Sequence, residues 1–352
     1  MRSRRRHRID RPVLQIVFRF DASPVIGGGH AIRCVALAAE LSRLGHRCGF
    51  TANEDGVKLA AAILPDADFM RPSDESDEAG DMQKRWPGGV DWLVVDHYGR
   101  SVSFEQLFKG WSRKVMAVDD RPTRSHACDI LLDQTLDRSE IEYRALVNSD
   151  CKVLTGVGFT LIREEFRKHR MLALARRGAI PQLPQIVVSF GASDAGKASL
   201  RALEALQLVK LPIRIKILVG RLCPHLDEIE EAVIRNQRTT LVVDPASIAR
   251  HFAEADLAIG APGTTAWEWA CLGLPAIVIP VADNQSDNAA ALARRGLVIA
   301  LPAIANVTRE EIAFAVSSLF DRPAHWRSMS QTASRLVDGN GVKRVVDAMV
   351  GA

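Results

Sequence analysis

The sequence predicts an α/β protein of two consecutive Rossmann-like domains, each a parallel sheet between helices, facing an interdomain cleft. Three observations carry that expectation. Short β-branched or Leu-rich runs alternate with helical stretches almost from end to end. No antiparallel meander interrupts the alternation, and strand–helix–strand order favours parallel pairing. Hydrophobic residues make up 47% of the 352 but aromatic residues only 6%. Ala, Val, Ile and Leu therefore fill the core, as strands buried on both faces require. At about 150 residues per domain, the length also favours two.

In chain order, strands are expected at 14–20, 47–52, 92–96, 114–118, 129–132 and 151–155. A helix follows His30, with Ile32, Cys34, Val35, Ala36, Leu37, Leu41 and Leu44 on a broad apolar face and Gly45 as its stop. Residues 71–91, RPSDESDEAGDMQKRWPGGVD, are polar with Pro and Gly and read as a surface loop. The stretch 166–184, a basic helix and then two prolines, reads as the interdomain connection. Strands resume at 185–190, 213–219, 240–243, 256–260, 275–281 and 297–301, and the tail from about 308 reads as helical. The expected division is a disordered basic arm at 1–12, a first domain at 13–165, the connection at 166–184 and a second domain at 185–335. A last helix within 336–352 is expected to pack back on the first domain.

The formal net charge is +4, and the arm MRSRRRHRIDRP holds much of the excess. Without it the chain is slightly acidic, which argues against a nucleic-acid partner. No run of about 18 apolar residues exists, so neither a transmembrane helix nor a stable membrane association is expected. The short run VLQIVF is too brief for a signal-peptide core. Six scattered Cys without C-x-x-C disfavour zinc and disulfide frameworks and fit a reduced cytoplasm. Cys34 and Cys271 read as core residues.

In open α/β sheets ligands bind beyond the carboxyl ends of the strands. The first such loop is DASPVIGGGH, 21–30. Its spacing is not G-x-G-x-x-G. Gly27, Gly28 and Gly29 allow close approach of backbone to ligand, and His30 opens the helix as a candidate catalytic base. Asp21 is placed either to orient that ring or to bind a sugar hydroxyl. Asp96, His97 and Tyr98 follow a strand end. Asp119 and Asp120 read as a hydrogen-bonding turn with Arg121 or Arg124 rather than a metal site. In the second half, Ser189, Gly191, Ser193 and Asp194 form a small-residue loop suited to a diphosphate. Gly263, Thr264 and Thr265 open a helix with donors suited to phosphate oxygens, and Glu268 lies one turn in, where a carboxylate can accept from ribose hydroxyls. Asn284 and Gln285 begin the next helix, placed for sugar hydroxyls or N-acetyl groups, with Asp283 as its N-cap. Trp267 and Trp269 read as packing residues.

The stretch 261–292 looks like the donor-nucleotide half of the GT-B superfamily, most like the transferase that adds N-acetylglucosamine to lipid I. The whole set RFDASPVIGGGHAIRC, VVDHYG, VDDRPTRSHACD, LTGVGFTLIREEF, SFGASD and GTTAWE…NQ resembles the UDP-2,4-diacetamido-2,4,6-trideoxy-β-L-altropyranose hydrolases of pseudaminic acid biosynthesis. The motifs run in family order over about residues 14–295. The resemblance implies that water displaces UDP from C1 with inversion, with His30 as base or positioner and Tyr98 lining the sugar pocket. It implies Glu268 on ribose, backbone near Ser247 and Ile248 on uracil, and Arg33, Asn284 and Gln285 on the substrate. No metal or other cofactor is implied. A cytoplasmic monomer acting on a UDP-linked diacetamido-trideoxyhexose is expected, with flagellin glycosylation as its family context. The family has a second glycine where this chain has Ala192, and a tyrosine where it has Phe159. A glycosyltransferase with a UDP-amino sugar donor, and a UDP-sugar 2-epimerase, remain alternatives on the same donor half.

Overall fold

The computed structural model describes residues 12–23, 26–74, 77–194, 196–221, 223–282 and 285–351. The basic arm before Pro12, and Asp283 and Asn284, lie outside the described residues. The chain divides into two compact units. One holds the chain up to Ser23, His30–Asp133 and Glu140–Leu154; the other holds the glycine loop ending at Gly29, Gln134–Ser139 and everything from Thr155 on.

The first unit is built on β1 (Gln15–Phe20), α1 (Gly29–Arg43), β2 (Arg47–Thr51), α2 (Glu54–Ala61), β3 (Asp68–Met70), α3 (Glu78–Arg85), β4 (Val90–Asp96), α4 (Val102–Gln106), β5 (Ser112–Val118), β6 (Ile130–Asp133) and β7 (Lys152–Thr155). Its parallel sheet runs β3-β2-β1-β4-β5-β6-β7. The central strands are apolar runs because both faces are covered: Ile16, Val17, Phe18, Leu93 and Val94 have no exposed surface. Few aromatics are present, but three stack across neighbouring strands, with Phe18–Phe50 centroids 5.3 Å and Phe50–Phe69 centroids 5.4 Å apart.

The 71–91 stretch is not the expected loop throughout. It contains α3, which turns Glu78 and Met82, one turn apart, into the protein, and Trp86 is buried behind them. Its polar composition hides the helix because the inward residue at its start is a carboxylate, held there by arginines described below.

In the second unit, α5 (Glu164–Arg176) precedes β8 (Gln185–Ser189), α6 (Ala198–Gln207), β9 (Arg214–Val219), α7 (Leu226–Ile234), β10 (Thr239–Val243), α8 (Ile248–Glu254), β11 (Leu257–Gly260), α9 (Thr265–Cys271), β12 (Ala276–Val278), α10 (Ser286–Arg294) and β13 (Val298–Ala300). Helices α11 (Arg309–Phe320), α12 (Pro323–Leu336) and α13 (Gly341–Val350) complete it. The parallel sheet runs β10-β9-β8-β11-β12-β13. The expected 166–184 connection is largely α5, which packs on α8 and α9 of this unit, with Phe166 against Phe252 at 6.2 Å. Arg170 ties it down by donating to the carbonyls of Ser334 (2.6 Å) and Val337 (3.1 Å). The last passage of the chain from the first unit to the second falls at Leu154–Thr155, before this helix. Helix α13 rests on the short helical turn Val157–Phe159, a segment expected in the first domain but grouped with the second unit.

Each sheet reverses its strand order once, between β1 and β4 and between β8 and β11. Four of the loops singled out in the sequence, at 21–30, 96–98, 189–194 and 263–265, follow these four strands, at the switch points where such sheets bind ligands. At the second switch point Gly260 pairs with Ser189, and a Cβ on Gly260 would run into the Ser189 carbonyl and stand 2.8 Å from the Trp269 ring. Gly260→Ala is expected to destabilise the protein by about 1–3 kcal/mol, read as a lower denaturant midpoint. An unchanged midpoint would mean that the strand pair shifts without cost. Among the described residues no helix is long and apolar enough to cross a membrane.

Candidate functional site

His30 lies in the first turn of α1 and is buried. Its Nδ1 is 2.5 Å from Oδ1 of Asp96, the last residue of β4. A carboxylate accepts only, so Nδ1 carries the proton and donates it. In the neutral ring Nε2 is then the lone-pair nitrogen, able to take a proton from a reacting group. One turn along α1, Arg33 grips the same carboxylate twice, with Nε to Oδ2 and Nη2 to Oδ1 both at 2.6 Å. Cys34 Sγ is 3.5 Å from Oδ2. Burial opposes the Asp96 charge, but Arg33 and His30 outweigh it and hold the carboxyl well below the usual range. Asp96 is thus a fixed anion that sets the tautomer and direction of His30. Arg33, expected on the substrate, is instead buried in this pair.

Tyr98 closes over the histidine. The two rings meet edge to face, with centroids 4.9 Å apart. Its hydroxyl donates to Asp120 (3.0 Å) and the Arg121 guanidinium lies 4.0 Å from the ring centroid. Burial, then Asp120, pushes the phenol up to about 12, so it stays a donor at neutral pH. Asp119 and Asp120 form the expected turn and diverge: Asp119 pairs with Arg124 (2.8 Å) while Asp120 faces Tyr98 and Arg121.

Asp21 does not orient His30. It belongs to a second cluster in which Arg19 donates to it (2.7 Å) and also to Glu78. Arg100 donates to Glu78 (2.7 Å) as well. His97 accepts the Gly99 N–H at Nδ1 (2.9 Å), so its Nε2–H donates to Asp21 (3.0 Å). Asp21 also takes the Asn53 N–H (2.8 Å) and so braces the start of α2. Burial raises its pKa, but His97 and Arg19 prevail and keep it ionised. The sequence offered two carboxylates after neighbouring strands, and the choice between them depended on side-chain direction.

In the second unit the glycine loop and the start of α9 come together. A Cβ on Gly29 would stand 2.9 Å from Thr264 Oγ1. Gly27 has φ +80°, which favours glycine, while Gly28 continues the loop. Gly263, Thr264 and Thr265 turn into α9, and Glu268 is buried in its first turn. Burial raises the Glu268 pKa against the opposing charge of Arg163, which donates to Oε1 at 2.9 Å. Arg163 also pairs with Glu165 (2.9 Å), and Glu165 accepts from Ser247 Oγ (2.7 Å). Ser247 caps α8, with Ile248 as its first residue. Arg163 and Glu165 thus join the two residues expected on ribose and uracil, a link no local pattern shows.

Ser189 ends β8, Gly191 has φ +93°, and Ser193 continues the loop. Asp194 is committed elsewhere: its carboxylate accepts the N–H groups of Ala198 and Ser199, both at 3.1 Å, and caps α6. Gln285 uses Oε1 to hold the Val281 N–H (2.9 Å) at the head of α10. Asn284, expected beside it, lies outside the described residues. Asn288 joins this edge by donating to the Pro262 carbonyl (2.5 Å). Trp267 and Trp269 are buried packing residues, as expected.

Residues 191–347 match the glycosyltransferase family 28 C-terminal domain. A structure of MurG from Acinetobacter baumannii superposes with a TM-score of 0.66 at 17% identity, covering 97% of this chain and all of that one. The chain has the GT-B fold. A second GT-B structure, UDP-GlcNAc 2-epimerase from Neisseria meningitidis, gives a TM-score of 0.60 at 14% identity over 96% of this chain and 100% of its own. In sequence the chain is similar to the UDP-2,4-diacetamido-2,4,6-trideoxy-β-L-altropyranose hydrolase of Campylobacter jejuni. They are 26% identical over 287 residues, 80% of this chain and 97% of that one. This is the resemblance the motifs carry.

Proposed function

We propose that this GT-B protein hydrolyses a UDP-linked 2,4-diacetamido-2,4,6-trideoxyhexose, releasing UDP and the free sugar. The observation that carries the reading is the His30–Asp96 pair, in which a carboxylate fixes Nδ1 and leaves Nε2 to take a proton. Similarity to the Campylobacter jejuni hydrolase along most of the chain supports the substrate class.

In this reading a water oxygen attacks C1 while His30 Nε2 takes its proton. The bond from C1 to the diphosphate oxygen breaks, and its electron pair leaves with UDP. One displacement inverts the anomeric centre. Tyr98 packs against the imidazole and forms the sugar wall. The Gly263–Thr265 turn and the Ser189–Ser193 loop hold the diphosphate, where oriented N–H groups stabilise developing charge. Glu268 takes the ribose hydroxyls, with Arg163 holding one of its oxygens. Backbone at Ser247 and Ile248 meets uracil, and Asn284 and Gln285 meet the sugar. The enzyme acts as a cytoplasmic monomer in nonulosonic acid synthesis.

The test is UDP release from UDP-2,4-diacetamido-2,4,6-trideoxy-β-L-altrose without metal or acceptor, with the anomer of the product read by NMR. Rapid release of the inverted sugar is expected. Release only on adding an acceptor sugar or lipid would replace hydrolysis by glycosyl transfer, and a 2-epimeric product would replace it by epimerisation. For the nucleotide half, Glu268→Ala is expected to weaken UDP binding by about 10-fold or more in calorimetry, the scale of a charged hydrogen bond. Unchanged affinity would remove Glu268 from the ribose.

A further inference from the structure

The first unit buries a second imidazole away from His30. His126 is 4% exposed. Its Nδ1 is 2.6 Å from Oε1 of Glu105 on α4, and its Nε2 is 2.9 Å from Oδ2 of Asp119 after β5. Both carboxylates are buried, so water cannot stand in for the ring. A neutral imidazole has one N–H and would turn a lone pair on a carboxylate oxygen at the other side. Only the doubly protonated ring donates to both. The two carboxylates are otherwise occupied. Glu105 Oε2 takes the Ala127 N–H (2.5 Å). Asp119 takes the Arg121 N–H (3.1 Å) and Arg124 through Nε (3.2 Å) and Nη2 (2.8 Å). Arg124 in turn donates to the backbone carbonyl of Tyr98 and reaches that of His97 at 3.5 Å. Hydrogen bonds thus run from α4 through His126, Asp119 and Arg124 to the backbone of the residue whose ring packs on His30.

We propose that His126 is a positioning residue, held doubly protonated between Glu105 and Asp119, that fixes the Tyr98 loop against His30. Two buried carboxylates face one imidazolium and one guanidinium, and the charges balance. Losing the His126 proton leaves a net buried negative charge and removes one of the hydrogen bonds that hold Asp119, the anchor of Arg124. Burial alone lowers the His126 pKa, but Asp119 and Glu105 prevail and push it up to about 9. The arrangement is therefore complete below the ordinary histidine value and is lost as pH rises through about 9. The other groups facing this cluster are Arg121 and Asp120 at the Tyr98 ring, and Tyr143, whose one hydroxyl proton lies between the Asp119 carbonyl (2.9 Å) and the Asp133 carboxylate (2.8 Å). From the β6 and β7 side come Cys128 and Cys151, with Sγ atoms 3.7 Å apart. The hydrogen bond between them, and then burial, pushes the Cys128 thiol well up, while the same hydrogen bond lowers Cys151. Cys151 therefore ionises within the range titrated, and the decisive signal is taken on the imidazole.

The experiment is a pH titration of the ¹⁵N-labelled imidazole of His126 and the ring signals of Tyr98 in the full-length protein. The expected result is an imidazolium signature at pH 7.5, lost at alkaline pH, with Tyr98 signals moving at the same midpoint. Glu105→Gln is expected to lower that midpoint by about one pH unit or more, since it removes one of two opposite charges. The alkaline limb of UDP release should move with it. A neutral His126 at pH 7.5, or Tyr98 signals indifferent to its titration, would overturn the proposal. The activity arm rests on the hydrolase reading. A coupled titration without UDP release would uphold His126 as the strut and reject that reading alone.

Discussion

His30→Ala is expected to release UDP about 10²-fold more slowly than the wild type, or worse, while binding UDP equally well. The two readouts separate because His30 and the residues proposed to hold the nucleotide lie on different elements. His30 is in the first turn of α1, whereas Glu268 and Ser247 are on α9 and α8. Truncation leaves Asp96 paired to Arg33 through both oxygens, so the buried charge keeps its partner and the fold is retained. It does open a small cavity under Tyr98. His30→Gln fills that space and still offers an N–H toward Asp96, but has no basic nitrogen. Both variants should be slow, and neither should lose UDP affinity in calorimetry. Activity within a few-fold of wild type in His30→Gln would show that the ring only fills the helix start.

The fold was largely legible because parallel strands buried on both faces are near-continuous apolar runs. QIVFRF and QIVVS need no alternation to be seen, and their ends fall within a residue or two of the expected ones. The strand β3 escaped because it has three half-buried residues and no period to read. The helix α3 escaped because Glu78 occupies a core position that arginines from β1 and the Arg100 loop make tolerable. Candidate residues were legible where a loop follows a strand at a switch point, which brought forward His30, Tyr98, Thr264 and Glu268 as proposals. It was not legible where partners come from distant segments. Nothing near His30 in sequence names Asp96, 66 residues away, or near Glu268 names Arg163, 105 residues away. Asp194 shows the converse, since an acidic residue after a strand suits a ligand and a helix cap alike, and here it caps α6.

Asp96→Asn should do two separable kinds of damage. It should slow UDP release by about 10²–10⁴-fold, because an amide can donate to Nδ1 and so favour the tautomer with the proton on Nε2, which cannot act as the base. It should also cost about 3–5 kcal/mol of stability, because the buried Arg33 loses its counter-charge. Arg33 is 6% exposed and Asp96 has no exposed surface, so water does not screen the loss. The pH dependence follows from the same pair. The Asp96 pKa is lowered on folding from its ordinary 3.8, so its contribution is full above that value and lost as pH falls below it. The wild type should therefore lose stability in acid more steeply than Asp96→Asn does. Adding Arg33→Met to Asp96→Asn removes the unpaired cation and should recover much of the denaturant midpoint, since apolar replacement of both partners of a buried pair is often tolerated. It should recover none of the rate, because the histidine would still lack the carboxylate that fixes Nδ1–H. Recovery of both together would mean that Asp96 serves only to neutralise Arg33, and that the direction of His30 is set by the packing of Tyr98 instead.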